Sequence, residues 1–176
     1  MSSTKRSRTA VAFAMLFALE VGFTVGHGGI GTAAPNERDL VVSRTLTKAS
    51  AGQLTGNRLT LYGTGSWNTS TGDIDARGTF VHRHQDGSLF AQGEWVVTGV
   101  ESFHGYGFTG DLGGGKLVLS VDLVVGGETE VHVDDFTVTS TFGHPPSGAV
   151  QGVTIPSLGF TQPVQAAHRF TAFLLV

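Results

Sequence analysis

The stretch of sequence that decides the fold is residues 74–99, which read IDARGTFVHRHQDGSLFAQGEWVVTG. Apolar and polar side chains alternate on both sides of Asp86-Gly87, and such alternation is typical of half-buried β-strands. Asp-Gly is also typical of a two-residue hairpin turn, because both central positions of that turn need a positive φ. The pattern therefore predicts an antiparallel hairpin in which Gln85 pairs with Ser88.

The predicted register sorts this hairpin into one apolar face and one mixed polar face. On the apolar face Phe80 lies opposite Gly93 and Trp95 lies opposite Gly78, an arrangement in which a large ring covers bare backbone. A shift of one residue would exchange the two faces, so the sorting itself supports the register. The register extends to pairs such as Ala76 with Val97, near the far end of the hairpin.

Period-two alternation continues on both sides of the hairpin, and no helical period is found after residue 40. Eight strands are predicted: Leu40–Leu46, Asn57–Trp67, Ile74–His84, Ser88–Val100, Lys116–Val125, Glu130–Val138, Val150–Ile155 and Ala167–Val176. Short strands separated by turn signals predict an all-β fold, a single antiparallel barrel of about eight strands, with a β-sandwich as the alternative. The last strand is apolar on both faces and would be a poor exposed edge, so we expect it to pair with an early strand and close the barrel.

Three local features qualify this pattern. The odd-numbered residues from Leu59 to Trp67 are expected to join the interior face of the hairpin. The apolar phase changes within Glu130–Val138, which predicts a β-bulge at Asp134-Asp135. The glycine-punctuated stretch Glu101–Gly107 is interpreted as a surface loop with aromatic side chains beneath it.

The first residues are typical of a secretory signal peptide with a signal helix. Lys5, Arg6 and Arg8 precede the apolar run Thr9–Leu19, and Gly31-Thr32-Ala33 fits a small-x-small cleavage site. We expect residues 1–33 to be removed and residues 34–176 to form the β-barrel domain. This predicts a secreted or extracytoplasmic protein with no membrane association after cleavage.

Composition narrows the possible functions. The chain of 176 residues contains no cysteine and carries a formal charge of −3. The lack of cysteine excludes disulfides, thiol catalysis and thiolate metal sites. There is no basic stripe, which argues against nucleic acid as a partner, since phosphate neutralisation supplies most of that binding. No sequence pattern indicates a cofactor, and none defines the oligomeric state.

The candidate ligand-binding residues share the predicted interior face: Trp67, Phe80, His82, His84 and Trp95. An eight-stranded barrel has room for side chains or for one small ligand. His82 and His84 are spaced i, i+2, and His168 on the last strand is placed to face the same interior. These three histidines are the candidate metal ligands, although no metal is our expectation, because lone His-x-His pairs are frequent and unspecific. The alternative is that His82 is a hydrogen-bonded interior residue and that His84 is exposed to solvent near the turn.

Four short motifs carry a resemblance: residues 63–68 (GTGSWN), 78–82 (GTFVH), 93–95 (GEW) and 102–107 (SFHGYG). Together they resemble a pattern in small uncharacterised bacterial exported β-proteins. The general architecture is similar to calycin-like and allene-oxide-cyclase-like barrels, including dirigent proteins. The resemblance implies a barrel fold and brings no catalytic motif, and function does not follow from fold alone.

Three functional hypotheses remain open on the sequence. The first is an exported β-barrel that binds a small, mostly apolar molecule. The second is a barrel enzyme, a cyclase or isomerase that uses an interior histidine or a metal-dependent enzyme that uses His82 and His84. The third is an interaction module that binds through its loops while side chains fill the barrel.

Overall fold

The computed structural model describes residues 36–166 and 168–175 of the chain. Its strands are β1 Glu37–Ala49, β2 Arg58–Asn68, β3 Ile74–Arg83, β4 Leu89–Thr109, β5 Leu112–Val125, β6 Glu128–Ser140, β7 Gly152–Thr154, β8 Phe160–Pro163 and β9 Phe170–Leu175. Two single-turn 3-10 helices, Gly52–Leu54 and Pro156–Leu158, lie in connections. The fold is all-β, as predicted.

Six of these strands form a closed antiparallel barrel. Each strand from β1 to β5 pairs with the next, and β9 lies between β5 and β1 and completes the ring. The last strand therefore does pair with an early one, which confirms the barrel over the sandwich. Strands β6 and β7 extend the sheet from β5, and β8 pairs with β1 outside the ring.

The ring has six strands because β5 changes neighbours along its length. Leu112 and Gly113 pair with β9. From Gly115 onward the same edge of β5 pairs with β6. The alternation of apolar and polar residues predicts how many strands there are. It does not indicate that one edge of β5 pairs with two different strands.

The predicted register of the β3–β4 hairpin is confirmed in its central part. Phe80 pairs with Gly93, Gly78 with Trp95 and His82 with Ala91. The prediction is wrong at the turn, where Gly87 alone of the turn residues has a positive φ and the amide of His84 donates to the carbonyl of Ser88. A longer loop of this kind contains a bulge, so Arg83 pairs with Leu89.

At its far end the hairpin parts earlier than predicted. A register shift between Val97 and Gly99 accompanies the loss of β3 as a partner, and the last β3–β4 pair is Arg77 with Val96. Strand β4 then continues as a long ribbon with β5 as far as Thr109. The interpretation of Glu101–Gly107 as a loop is therefore wrong: these residues belong to β4, and two further register shifts break their alternation.

Two other local predictions are confirmed. Leu59, Leu61 and Trp67 are buried, as expected for the interior face of β2. The pairing of β5 with β6 shifts between Leu119 and Val121, opposite the predicted bulge at Asp134-Asp135. The bulge separates the two carboxylates, and each accepts hydrogen bonds from different partners.

One hydrophobic core fills the barrel. Its largest fully buried side chains are Trp95, Phe136, Phe160, Phe173, Leu40, Leu61, Leu117, Leu119 and Ile155. The Trp95 indole lies beside Phe136, with ring centroids 5.3 Å apart, and its Nε1–H donates to the carbonyl of Tyr62 at 2.9 Å. The centre of the barrel is thus occupied by side chains.

The expected signal peptide, residues 1–33, lies outside the described residues. So do the first residues of the expected domain 34–176. Within the part of the chain that is described, no helix is long and apolar enough to span a bilayer.

Candidate functional site

The five predicted ligand-binding residues do not gather around one cavity. Trp67 pairs with Ile74 at the start of β3, whereas His82 lies eight residues further along that strand, a span of about 27 Å. Trp95 and Phe80 lie between these ends and are buried in the core. The expectation of a shared interior pocket is therefore wrong, because the barrel has too few strands to leave its centre open.

His82 is a buried residue with a defined partner. It is 7% exposed, and its Nε2 lies 3.0 Å from Nδ2 of Asn57. The amide NH2 can only donate, so Nε2 accepts and Nδ1 carries the proton. Burial, followed by the charge of nearby His84, lowers the pKa of His82 below its ordinary value. The side chain lies between the rings of Phe90 and Phe160.

The other two candidate metal ligands lie apart from this position. His84 is exposed beside the turn, where its ring meets Phe90 at 5.1 Å. His168 precedes β9, is exposed and has a φ of 69°, so it does not face the barrel interior as expected. Within residues 36–166 and 168–175, no group of three histidine or acidic side chains is arranged to hold a metal ion.

A small apolar cavity lies at the opposite end of the barrel from His82. We call it the aromatic pocket, and its volume is about 130 Å³. Its lining residues are Arg38, Thr69, Phe103, Gly105, Gly107, Phe108, Gly113, Gly114 and Phe173. They come from β1, the β2–β3 turn, the β4–β5 ribbon and β9, so the pocket exists only once the barrel has closed.

Three phenylalanines supply the walls of the aromatic pocket. The rings of Phe103 and Phe173 meet nearly at right angles, with centroids 5.6 Å apart. Phe103 and Phe108 are 39% and 43% exposed, respectively, whereas Phe173 is buried. The pocket therefore has a buried aromatic base and two partly exposed aromatic sides.

Glycines bring these rings close to the backbone. A Cβ on Gly113 would lie 2.9 Å from Cε1 of Phe108, and one on Gly115 would lie 2.5 Å from Cε2 of Phe103. A Cβ on Gly114 would overlap the carbonyl of Phe142. The Gly113–Gly115 run thus has a packing role, since any side chain there would displace a pocket wall or the segment behind it.

Arg38 is the only charged residue among the nine that line the aromatic pocket. Its guanidinium carbon lies 5.2 Å from the centroid of the Phe108 ring, within the range of a cation–π contact. Its Nη1 donates to the carbonyl of Glu37 at 2.6 Å. These contacts hold a positive charge against an aromatic wall.

Trp67 lies directly behind the aromatic pocket. Its ring centroid is 4.5 Å from that of Phe103 and 6.0 Å from that of Phe173. The side chain is 3% exposed, and its indole N–H has no acceptor among the described residues. A buried donor without a partner costs roughly 1–3 kcal/mol.

A polar chain on the outer surface is a second cluster of titratable groups. Nδ1 of His132 lies 2.6 Å from Asp122, and its Nε2 lies 3.0 Å from Asp134. Asp134 also accepts from the hydroxyl of Ser120, which donates to Glu101 as well. Hydrogen bonding to Asp122 raises the pKa of His132 above its ordinary value, with a smaller contribution from Asp134.

Sequence reasoning missed the residues of the aromatic pocket. The signal was present as Phe103 and Phe108 among closely spaced glycines, followed by the run Gly113–Gly115. Glycine is unfavourable in strands, so this composition on its own predicts a loop. Two glycine-rich segments joined by a two-residue turn and carrying aromatics would have been a better reason to predict a paired ribbon.

No protein-family model matches the chain, and comparisons with curated proteins and with solved structures find no significant match.

Proposed function

We propose that this chain is an exported protein whose β-barrel domain binds a small, mostly apolar molecule in the aromatic pocket. The observation that carries the proposal is the set of three phenylalanines arranged over glycine backbone around a cavity of about 130 Å³. Ligand sites are typically concave, mostly apolar and supplied with a few polar groups, which here are Arg38 and Thr69.

The volume limits the ligand to a single ring or a short branched chain. An apolar cavity of about 150 Å³ is known to accept benzene. Larger ligands are compatible only if part of the molecule remains outside, beside the exposed edges of Phe103 and Phe108.

Export is proposed on the sequence of residues 1–33 alone. The test is the intact mass of the protein recovered from outside the cytoplasm of an expressing cell. A mass that lacks the first 33 residues supports a cleaved leader, and a mass that includes them overturns it.

Enzymatic use of the histidines receives less support. His82 is enclosed by Asn57, Phe90 and Phe160, which leaves its ring little access to a substrate. His132 is accessible, but both of its ring nitrogens are engaged by carboxylates. The kinship with calycin-like and allene-oxide-cyclase-like barrels likewise stays a proposal.

Binding is tested with toluene as the probe and amide chemical shifts of the 15N-labelled protein as the readout. We expect toluene to shift the amides of Gly105, Gly107, Gly113 and Gly114, which line the aromatic pocket. No shift at these positions would overturn the proposal.

Two glycine variants of the same strand provide the matched comparison. Gly105 lines the pocket, and a Cβ there meets only the Phe103 ring, at 3.3 Å and beyond, so Gly105→Val fills the cavity and is expected to abolish the toluene shifts. Gly99 lies outside the pocket, and a Cβ there has its nearest neighbours in Ser120 at 3.8 Å and 3.9 Å. Gly99→Val is therefore expected to retain the shifts, and equal binding by both variants would place the probe elsewhere.

A further inference from the structure

The walls of the aromatic pocket determine which end of a ligand enters it. We infer that the ligand carries an aromatic ring with a bare or alkyl-substituted end, and that this end enters the aromatic pocket while any polar group of the ligand stays at the mouth. This inference rests on the proposed function and narrows the ligand class for the same site.

Both polar side chains of the lining are already engaged by the protein. The guanidinium of Arg38 lies against the Phe108 ring and donates to the carbonyl of Glu37. The hydroxyl of Thr69 donates to the carbonyl of Asn36 at 3.1 Å. These contacts make Arg38 and Thr69 parts of the wall rather than groups held ready for a ligand.

The rest of the lining has no side-chain hydrogen-bonding group, since it consists of three phenylalanines and four glycines. Gly105 pairs with Gly115 across the β4–β5 ribbon. Gly113 pairs on one side with Phe108 and on the other with Phe173. The backbone N–H and C=O groups of paired strands lie in the plane of the sheet. A polar group buried against the face of such a sheet therefore loses its water without a replacement.

The arrangement of the walls favours a flat aromatic ring over an aliphatic group of the same size. The rings of Phe103 and Phe173 form a corner, with 84° between their planes and 5.6 Å between their centroids. A flat ring that stacks on one wall presents its edge to the other, and both arrangements are preferred between aromatic rings. An aliphatic ring fills the same space but does not have this preference.

The mouth of the aromatic pocket is where a polar group of the ligand can remain hydrated. Phe173 is buried at the base, whereas Phe103 and Phe108 are partly exposed. A polar substituent on the end of the ring away from Phe173 keeps its water beside these exposed edges. A ligand with one apolar and one polar end therefore binds in one orientation.

The first experiment compares p-cresol with hydroquinone by amide shift titration under nitrogen. Both probes carry a hydroxyl at one end of the ring, and the other end is a methyl group in p-cresol and a second hydroxyl in hydroquinone. Whichever end of hydroquinone enters, a hydroxyl is buried. We expect hydroquinone to bind about thirtyfold more weakly than p-cresol, or not at all, as for a hydroxyl buried without a hydrogen bond.

The second experiment compares toluene with 1-methylcyclohexene, which has the same carbon skeleton without the aromatic ring. 1-Methylcyclohexene has the larger apolar surface, so buried area alone would favour it. We expect toluene to bind about threefold or more tightly than 1-methylcyclohexene, because only toluene makes aromatic contacts with both walls of the corner.

Phe103→Leu removes one wall of the corner and is expected to abolish the preference for toluene over 1-methylcyclohexene. Phe90→Leu is the matched control, since Phe90 is an exposed phenylalanine of the same strand that does not line the pocket, and it should retain the preference.

Three results would overturn the inference and leave the proposed function standing. They are an affinity of hydroquinone within about threefold of that of p-cresol, equal binding of toluene and 1-methylcyclohexene, and an unchanged preference in Phe103→Leu. If neither toluene nor p-cresol shifts the amides of the aromatic pocket, the proposed function fails as well.

Discussion

The indole ring of Trp95 lies on the bare backbone of Gly63, two strands away in the barrel wall. A Cβ on Gly63 would be 2.0 Å from Cζ2 of Trp95 and 2.6 Å from the carbonyl oxygen of Arg77. Gly78, the cross-strand partner of Trp95, is also covered by the ring. The two glycines make room at the centre of the barrel for its largest side chain.

Replacing Gly63 tests this relationship. We expect Gly63→Ala to lower the free energy of unfolding by about 1–3 kcal/mol, because neither a buried ring nor a backbone carbonyl can move away cheaply. The measurement is urea unfolding followed by tryptophan fluorescence. Gly99→Ala is the control and should remain within about 0.5 kcal/mol of the wild type, as surface substitutions usually do; equal losses in both variants would contradict the packing argument.

Stability should fall in mild acid because of His82. Burial lowers the pKa of His82, so below the ordinary value of 6.5 the unfolded chain binds a proton that the folded protein does not. Above pH 6.5 this difference in proton binding disappears, and His82 does not lower the free energy of unfolding. The free energy of unfolding falls as the pH drops from 6.5 toward the lowered pKa of His82. Unfolding measured between pH 7.5 and pH 5 checks the direction, both pH values being about one unit or more from 6.5.

A paired substitution isolates this contribution. His82→Gln keeps an acceptor for Asn57 but cannot titrate, and its stability should depend less on pH across that window. A wild-type slope in His82→Gln would assign the acid sensitivity to another group.

His132 should show the opposite sign. Its pKa is raised chiefly by the hydrogen bond to Asp122, so its favourable contribution is present below pH 6.5 and is lost as the pH rises through the raised pKa. The side chain is exposed, and the effect on stability is correspondingly small. The sharper measurement is a proton NMR titration of the His132 ring, whose midpoint should lie above 6.5 in the wild type.

Removing the carboxylate charge should reverse this shift. In Asp122→Asn the midpoint of His132 is expected to move down toward its ordinary value, because the largest cause of the raised pKa has gone. Asp111→Asn, at the β4–β5 turn, is the matched control and should leave the midpoint unchanged. If the midpoint of His132 stays high in Asp122→Asn, Asp134 alone is sufficient to raise the pKa of His132.

The bulge at Asp134-Asp135 has a measurable role through Asp135. Its carboxylate accepts hydrogen bonds from the backbone amide of Ser157 at 2.5 Å and from the Ser157 hydroxyl at 2.7 Å. We expect Asp135→Ala to cost about 1 kcal/mol, as for the loss of a helix cap. A double-mutant cycle with Ser157→Ala should give a coupling energy above about 0.5 kcal/mol, and strict additivity would show that the contact contributes nothing.

Much of the fold could be predicted because the alternation within each strand agrees with the face that the strand buries in the barrel. Trp95 opposite Gly78 and Phe80 opposite Gly93 fix the hairpin register, since a shift of one residue would place both rings on the polar face. The apolar sequence of β9 predicted that both of its edges would be paired, because an apolar strand is a poor exposed edge. The change of apolar phase in β6 located its bulge, because an extra residue moves the following side chains to the other face of the strand.

The candidate site could not be predicted in this way because it forms where alternation fails. Register shifts around Thr98, Glu101 and Tyr106 turn β4 away from β3 and bring Phe103 and Phe108 to the end of the barrel. Each shift changes which face a side chain occupies, and periodicity cannot follow it. Arg38 reaches the pocket through the pairing of β1 with β9, a contact between distant parts of the chain.

The pairing of β1 with β9 also has a consequence for biosynthesis. Until Phe170–Leu175 has been synthesised, residues 38–43 of β1 and residues 112–113 of β5 have no partner on their facing edges, and the ring cannot close. Folding thus depends on a contact of very high sequence separation, and such topologies fold slowly. The sheet of a nascent chain therefore stays open until β9 has emerged from the ribosome, and its unpaired strand edges are available to other chains for as long.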